Sequence, residues 1–172
     1  NQLTSIDFST TSIDQLDFIA ALKNVKSLSI SGTAVESLKL FTRSESILDE
    51  VPVGAVIVCQ NQIIARGHNL TETLCDVTAH AEIQAITAAA NYLGAKYLKG
   101  CTLYVTLEPC CMCAGALYWS QIDKIVYGAR DLKRGAGNHG NELYHPSCLV
   151  VDCILEEDCA QLMKDFFYEK RK

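Results

Sequence analysis

A chain of 172 residues, 49% hydrophobic and 20% charged, is long enough to bury a core and too apolar to stay disordered. No apolar run approaches the roughly 20 residues that span a bilayer, and no basic stretch followed by an apolar one opens the chain, so no membrane association and no export are expected. The net charge of −5 excludes a generally basic nucleic-acid coat, and residues 45–172 alone hold 11 basic against 16 acidic groups, so any nucleic-acid contact has to be local.

In chain order, the first signal is an internal echo. Leu3, Ile6, Phe8, Ile13, Leu16, Phe18 and Ile19 recur 22 positions later as Val25, Leu28, Ile30, Val35, Leu38, Leu40 and Phe41, a spacing in the leucine-rich-repeat range. Two such units are too few for a stable solenoid. A second parse opens a helix at Thr33, with Thr33-Ala34-Val35-Glu36 in capping-box form and an apolar stripe of Val35, Leu38, Phe41 and Leu48. The preferred division takes residues 1–32 as an extension and 33–172 as one domain, with a helix in 34–48 packed on the rest of that domain.

From Val51 the pattern turns to strands. Val51 to Val58 and Gln62 to Gly67 flank the turn-like Gln60-Asn61 and predict a hairpin. Thr78 can cap a helix in which Ile83, Ile86, Ala90 and Leu93 share a face, with Gly94 beyond its end. Next come a strand over 102–106, a short helix opening at Pro109, and a strand over 124–128, an order that implies a parallel crossover. A Gly-rich loop covers Arg134 to Gly140, Leu149 to Leu155 is β-rich, and a last helix carries Cys159, Leu162, Met163, Phe166 and Phe167 on one face. The sum is an α/β domain: a mixed five-stranded sheet with helices on both sides.

The nine cysteines are odd in number and scattered through apolar runs, which fits reduced thiols and a cytoplasmic protein better than a disulfide framework. Two of them carry chemistry. Cys110 and Cys113 are one helical turn apart, so both sulfurs can face one ion. His80 opens the preceding helix and supplies an imidazole. Zinc suits two thiolates and one imidazole, and three protein ligands leave a fourth position open, as catalysis requires. Both ligand sets are predicted at helix N-termini, where the dipole and free N–H groups favour thiolate over thiol. Glu82, two residues from His80, is placed to take a proton from water activated at such a site and pass it on. His-Ala-Glu followed by Pro-Cys-x-x-Cys, each half opening a helix, is the signature of zinc deaminases of nucleobases.

The alternatives are a closed structural zinc site completed by Cys111, His139, His145 or Cys148, and a second metal site at His145-Pro146-Ser147-Cys148. Arg130/Lys133/Arg134 and Lys170/Arg171/Lys172 read either as local nucleic-acid contacts or as a solvated loop and helix end.

Several stretches in residues 50–172 resemble the bacterial tRNA adenosine deaminase (TadA) branch of the cytidine-deaminase-like superfamily. They are Glu50 to Val56, Gly67-His68-Asn69, Thr78 to Ile83, Leu103 to Cys110, Met112 to Ala116, and Asp165-Phe166-Phe167. The resemblance implies a three-layer α/β/α fold, a homodimer, and zinc-dependent hydrolytic conversion of adenosine to inosine at the wobble position of a tRNA anticodon loop. Position by position it implies that His80, Cys110 and Cys113 hold Zn2+ and that Glu82 shuttles protons. Asn69 and the Ala81 backbone would bind the flipped base, Val53 would pack on it, and Asp131 would touch the flanking nucleotide. Phe166, Phe167 and the basic tail would lie near the anticodon loop. The chain departs where Cys111 replaces the family's usual proline, and residues 1–32 look foreign to it. A free guanine, cytosine or nucleoside deaminase shares the same zinc chemistry, and a non-catalytic zinc-stabilised binding module is the reading from another class.

Overall fold

A computed structural model describes residues 50–172; the 22-residue echo, the helix expected in 34–48 and the boundary at residue 32 lie outside the described residues. Five strands form one sheet in the order β2-β1-β3-β4-β5: β1 Gly54–Cys59, β2 Gln62–His68, β3 Cys101–Leu107, β4 Lys124–Ala129 and β5 Leu149–Val151. β1 pairs antiparallel with β2 and β3, whereas β3–β4 and β4–β5 are parallel, so the sheet is mixed, as expected. The β1–β2 turn is tight because Gln60 and Asn61 both take left-handed backbone, at φ 49° and 61°, the geometry that matches strand twist in two-residue hairpins.

Three helices flank the sheet: α1 Ala81–Leu93, α2 Cys111–Ser120 and α3 Glu156–Glu169. Strand alternation assigns their sides. Leu103, Val105, Ile125 and Tyr127 join Ala85, Ala89, Ala114 and Leu117 in the main core. Tyr104, Thr106, Val126 and Gly128 face Leu155, Cys159 and Leu162 around α3. The outcome is three layers.

Two glycines set how closely helices approach. A Cβ on Gly67 would collide with the Ala81 carbonyl and come within 2.8 Å of the Ala85 nitrogen. This explains a difference from the sequence reading of α1. Its buried face is Ala81, Glu82, Ala85 and Ala89, while Ile83 and Ile86 are half-buried and Leu93 is exposed. Small side chains win that face because backbone meets backbone there. Gly128 plays the same part under α3, where a Cβ would strike Cys159 Sγ and come within 2.7 Å of the Thr106 carbonyl oxygen.

Three boundaries move. Thr78 does not cap α1: its N–H and hydroxyl both donate to Asp76 Oδ1, at 2.8 and 2.7 Å, and the helix starts two residues later with His80 as N-cap. α2 likewise begins beyond Pro109, with Cys110 as N-cap. β5 is only three residues long, because Cys153 and Leu155 enter left-handed conformations at φ 59° and 56° and end the extended run. α3 has no fully buried residue, and Phe167 is exposed rather than on its packed face. Gly94 ends α1 as expected, left-handed at φ 60°. All nine cysteines are free thiols, and no described helix is long and apolar enough to cross a membrane.

Candidate metal and catalytic centre

α1 and α2 each begin with a candidate ligand. His80 and Cys110 are extended N-cap residues, at φ −71° and −72°, whose carbonyls accept the first helical bonds from Gln84 and Ala114 at 3.0 and 2.8 Å. Cys113, one turn into α2, is fully buried. The imidazole Nδ1 lies 3.7 Å from Cys110 Sγ and 3.5 Å from Cys113 Sγ, and the three donor atoms lie within 4.8 Å of one another. Bonds of about 2.3 Å to sulfur and 2.0–2.1 Å to nitrogen give a tetrahedral N···S edge of about 3.5 Å, so the three donors fit one zinc ion.

Electrostatics favours the same ion. The hydrogen bond from Cys113 outweighs the opposing effect of burial and, with help from His80, pulls the Cys110 thiol down to about 4. Cys113 is pushed up, first by its bond to Cys110 and then by burial, so the shared proton stays on Cys113. A dication bound by the three donors would take that proton's place. His80 is raised chiefly by its bond to Cys110, against burial.

Among the described residues no fourth ligand joins the three. Cys111 is exposed. His145 Nδ1 instead meets Ser147 Oγ at 2.8 Å and its ring lies tilted against Tyr118, centroids 5.3 Å apart, while Cys148 Sγ donates to the Leu149 carbonyl. The His145–Cys148 stretch is a hydrogen-bonded loop. Glu82, 3% exposed, sits in the first turn of α1 with its carboxyl pushed up to about 7, chiefly by burial. It stands outside the donor group, near enough for its charge to act on His80 and Cys113.

The other candidate residues fall on two segments that contact the starts of α1 and α2. Asn69 is buried; its N–H donates to the Val53 carbonyl at 3.2 Å and its Oδ1 accepts from the Ala81 N–H at 3.0 Å. Val53, Asn69 and Ala81 thus form one chain of contacts leading to His80, and the carboxamide Nδ2 is the end of Asn69 that this chain does not use. Asp131 lies on the loop after β4. That loop crosses the start of α2 through a bridge between Gly135 and Cys110 and through the Ala136 N–H, which donates to the Pro109 carbonyl at 2.9 Å. Asp131 Oδ1 accepts from the Lys133 and Arg134 N–H groups at 2.9 and 3.0 Å, folding its own loop into a turn.

Two carboxylates were not foreseen in any role. Glu108, 7% exposed, accepts from Asp131 N and Gly137 N. Glu50, 3% exposed, accepts from Thr71, Glu72 and Thr73. Each is an acidic residue beside an apolar run, the one sequence sign of a buried carboxylate, but their partners are loop N–H groups that no spacing rule reveals. The basic clusters divide: Arg130 pairs with Asp152, while Lys170 and Lys172 lie over the Phe166 and Tyr168 rings.

The cytidine and deoxycytidylate deaminase zinc-binding region matches residues 32–129. A tRNA-specific adenosine deaminase of Aquifex aeolicus is 56% identical over 126 residues, which cover 71% of this chain and 83% of that one. Among solved structures, one from a study of A-to-I editing by tRNA:A34 deaminases at the wobble position superposes with a TM-score of 0.68 at 41% identity, covering 74% of this chain and 96% of the other. A guanine deaminase from Nitrosomonas europaea superposes with a TM-score of 0.66 at 26% identity, covering 77% and 81%.

Proposed function

Because the chain belongs to the tRNA-specific adenosine deaminases, within the cytidine and deoxycytidylate deaminase zinc-binding family, we propose that it converts adenosine to inosine at the wobble position of a tRNA anticodon loop. The observation that carries the reading is Glu82: a carboxylate buried beside three zinc donors that have no fourth protein ligand among the described residues. A purely structural zinc site has no use for it.

His80, Cys110 and Cys113 would hold the zinc, which when bound would supply a Lewis acid that acidifies water. Glu82 accepts the proton that the attacking water gives up and passes it to the ring nitrogen of adenine, then takes the proton of the new C–OH group and hands it to the amine, which leaves as ammonia as the C–N bond breaks. Its high pKa suits both halves of that task, since burial lets the carboxyl hold a proton near neutrality. Asn69 directs its Nδ2 to the base, the Ala81 backbone at the start of α1 lines the pocket, and Val53 packs against the ring. Adenosine and water give inosine and ammonia, with no net proton change at Glu82.

Asp131 contacts the flanking nucleotide from its loop. Phe166, Phe167, Lys170 and the residues after it meet the anticodon loop from the end of α3; the edge-to-face Phe166–Phe167 pair, centroids 5.2 Å apart, supplies stacking surface. The enzyme works as a homodimer in the cytoplasm. Trp119 and Met112 support the dimer, since both expose apolar surface on the helix that carries the cysteine ligands.

The test is conversion of a tRNA bearing adenosine at the wobble position, read as inosine by mass spectrometry of nucleoside digests. Zinc-loaded protein that leaves this tRNA unchanged while deaminating free guanine, cytosine or a nucleoside refutes the reading.

A further inference from the structure

Glu108 follows the last residue of β3, buried two positions before a zinc ligand, yet it lies outside the donor group. Its two oxygens serve opposite ends of one loop: Oε2 accepts from the Asp131 N–H at 3.0 Å, and Oε1 accepts from the Gly137 N–H at 2.8 Å. The loop is shaped around this carboxylate. A Cβ on Gly135 would collide with Oε2, and one on Gly137 would come within 2.7 Å of Oε1.

Between the two fastened ends, Leu132, Lys133 and Arg134 are exposed. Among the described residues the ion pairs are Lys99–Asp123 and Arg130–Asp152, so Lys133 and Arg134 keep their charges for another partner. The Gly135–Cys110 bridge sets that pair of cations beside the catalytic centre. In a chain of net charge −5, two uncommitted cations on a clamped loop next to the site are where a polyanion would be gripped.

We propose that Glu108 is a positioning residue for substrate RNA: by clamping both ends of loop 131–137 it fixes Lys133 and Arg134 against phosphates of the strand that carries the target base. The inference rests on the proposed tRNA activity and adds to it which residues hold the backbone and what holds them. Glu108 touches neither the base nor the zinc. A glutamine there can accept only one of the two N–H groups, and its NH2 confronts the other as a second donor.

The experiment uses a zinc-loaded full chain and an anticodon stem-loop RNA with adenosine at the wobble position. Glu108→Gln is expected to raise KM about tenfold, the factor attached to one charge-assisted hydrogen bond, with kcat within about threefold and one zinc per chain retained. RNA affinity, measured against salt in a Glu82→Ala background, loses about one to two from the slope of log K on log salt. A merely structural carboxylate would leave that slope alone. Lys133→Ala/Arg134→Ala, at exposed positions, is expected to give the same slope change, with no further loss when combined with Glu108→Gln. An unchanged slope in the double-alanine variant, or an unchanged KM and slope in Glu108→Gln, overturns the proposal. Wild-type protein that converts no RNA refutes the function itself, an outcome visible before any variant is made.

Discussion

Replacing Glu50 with glutamine tests how the segment leading to His80 is held. Glu50 Oε1 accepts from the Glu72 and Thr73 N–H groups at 2.9 and 2.8 Å, and Oε2 accepts from the Thr71 hydroxyl at 3.0 Å. In the glutamine variant the amide oxygen keeps both N–H bonds, and the NH2 can donate to the Thr71 hydroxyl. What disappears is charge assistance, about 1 kcal/mol per bond on the difference between charged and neutral hydrogen bonds. Over the three bonds the expected cost is therefore about 3 kcal/mol at pH 7. Glu50→Ala removes both acceptor oxygens and all three bonds; residues 72 and 73 are exposed, so water partly replaces them, and about 4 kcal/mol is expected. The pH dependence has a definite sign. Burial pushes the Glu50 carboxyl up, but the bonds from Thr73, Thr71 and Glu72 together outweigh it and hold it below 4.5. Its contribution is present above that value and disappears as pH falls through the lowered folded pKa. Urea unfolding at pH 7 and again well below pH 4 measures both variants. A difference between wild type and Glu50→Gln that stays the same at both pH values, or a glutamine variant as unstable as the alanine one, refutes the reasoning.

Glu82→Gln should lower kcat at least a hundredfold, the scale of lost general acid–base catalysis, while zinc content by mass spectrometry stays at one per chain; retained turnover would remove Glu82 from the mechanism. Prolonged chelation should abolish activity and added zinc restore it, and Cys113→Ala should abolish both activity and metal retention; an active metal-free protein contradicts the site. Gly67→Ala should cost about 1–3 kcal/mol of stability and reduce activity, because the added methyl meets the Ala81 and Ala85 backbone and displaces the helix start that bears His80 and Glu82; a neutral thermal shift would show that α1 can slide.

The sequence disclosed elements whose signal is local. Gln60-Asn61 announced its turn, and the Cys110–Cys113 interval announced a shared helix face. It picked out the His80, Cys110 and Cys113 donors that the fold brings together, and the buried Glu82 near them, because metal chemistry demands fixed residue types. It misplaced the start of α1 because Thr78 had a competitor, Asp76, that captured its hydroxyl. It chose the wrong face of that helix because a hydrophobic stripe rewards bulk, whereas contact with Gly67 rewards small side chains. Glu50 and Glu108 stayed silent for a different reason: each binds a loop more than 20 residues away, and one sequence carries no record of such pairings.

His80 and Cys110 are 30 residues apart, and everything between them, α1 and β3 included, must reach its place before imidazole and thiolates meet. A nascent chain can offer Cys110 and Cys113 as a neighbouring pair, but the third donor arrives only after β3 has docked on the first hairpin and the loop entropy has been met. Tight metal uptake is thus expected to come late, with a bound metal securing a scaffold that other contacts have already assembled.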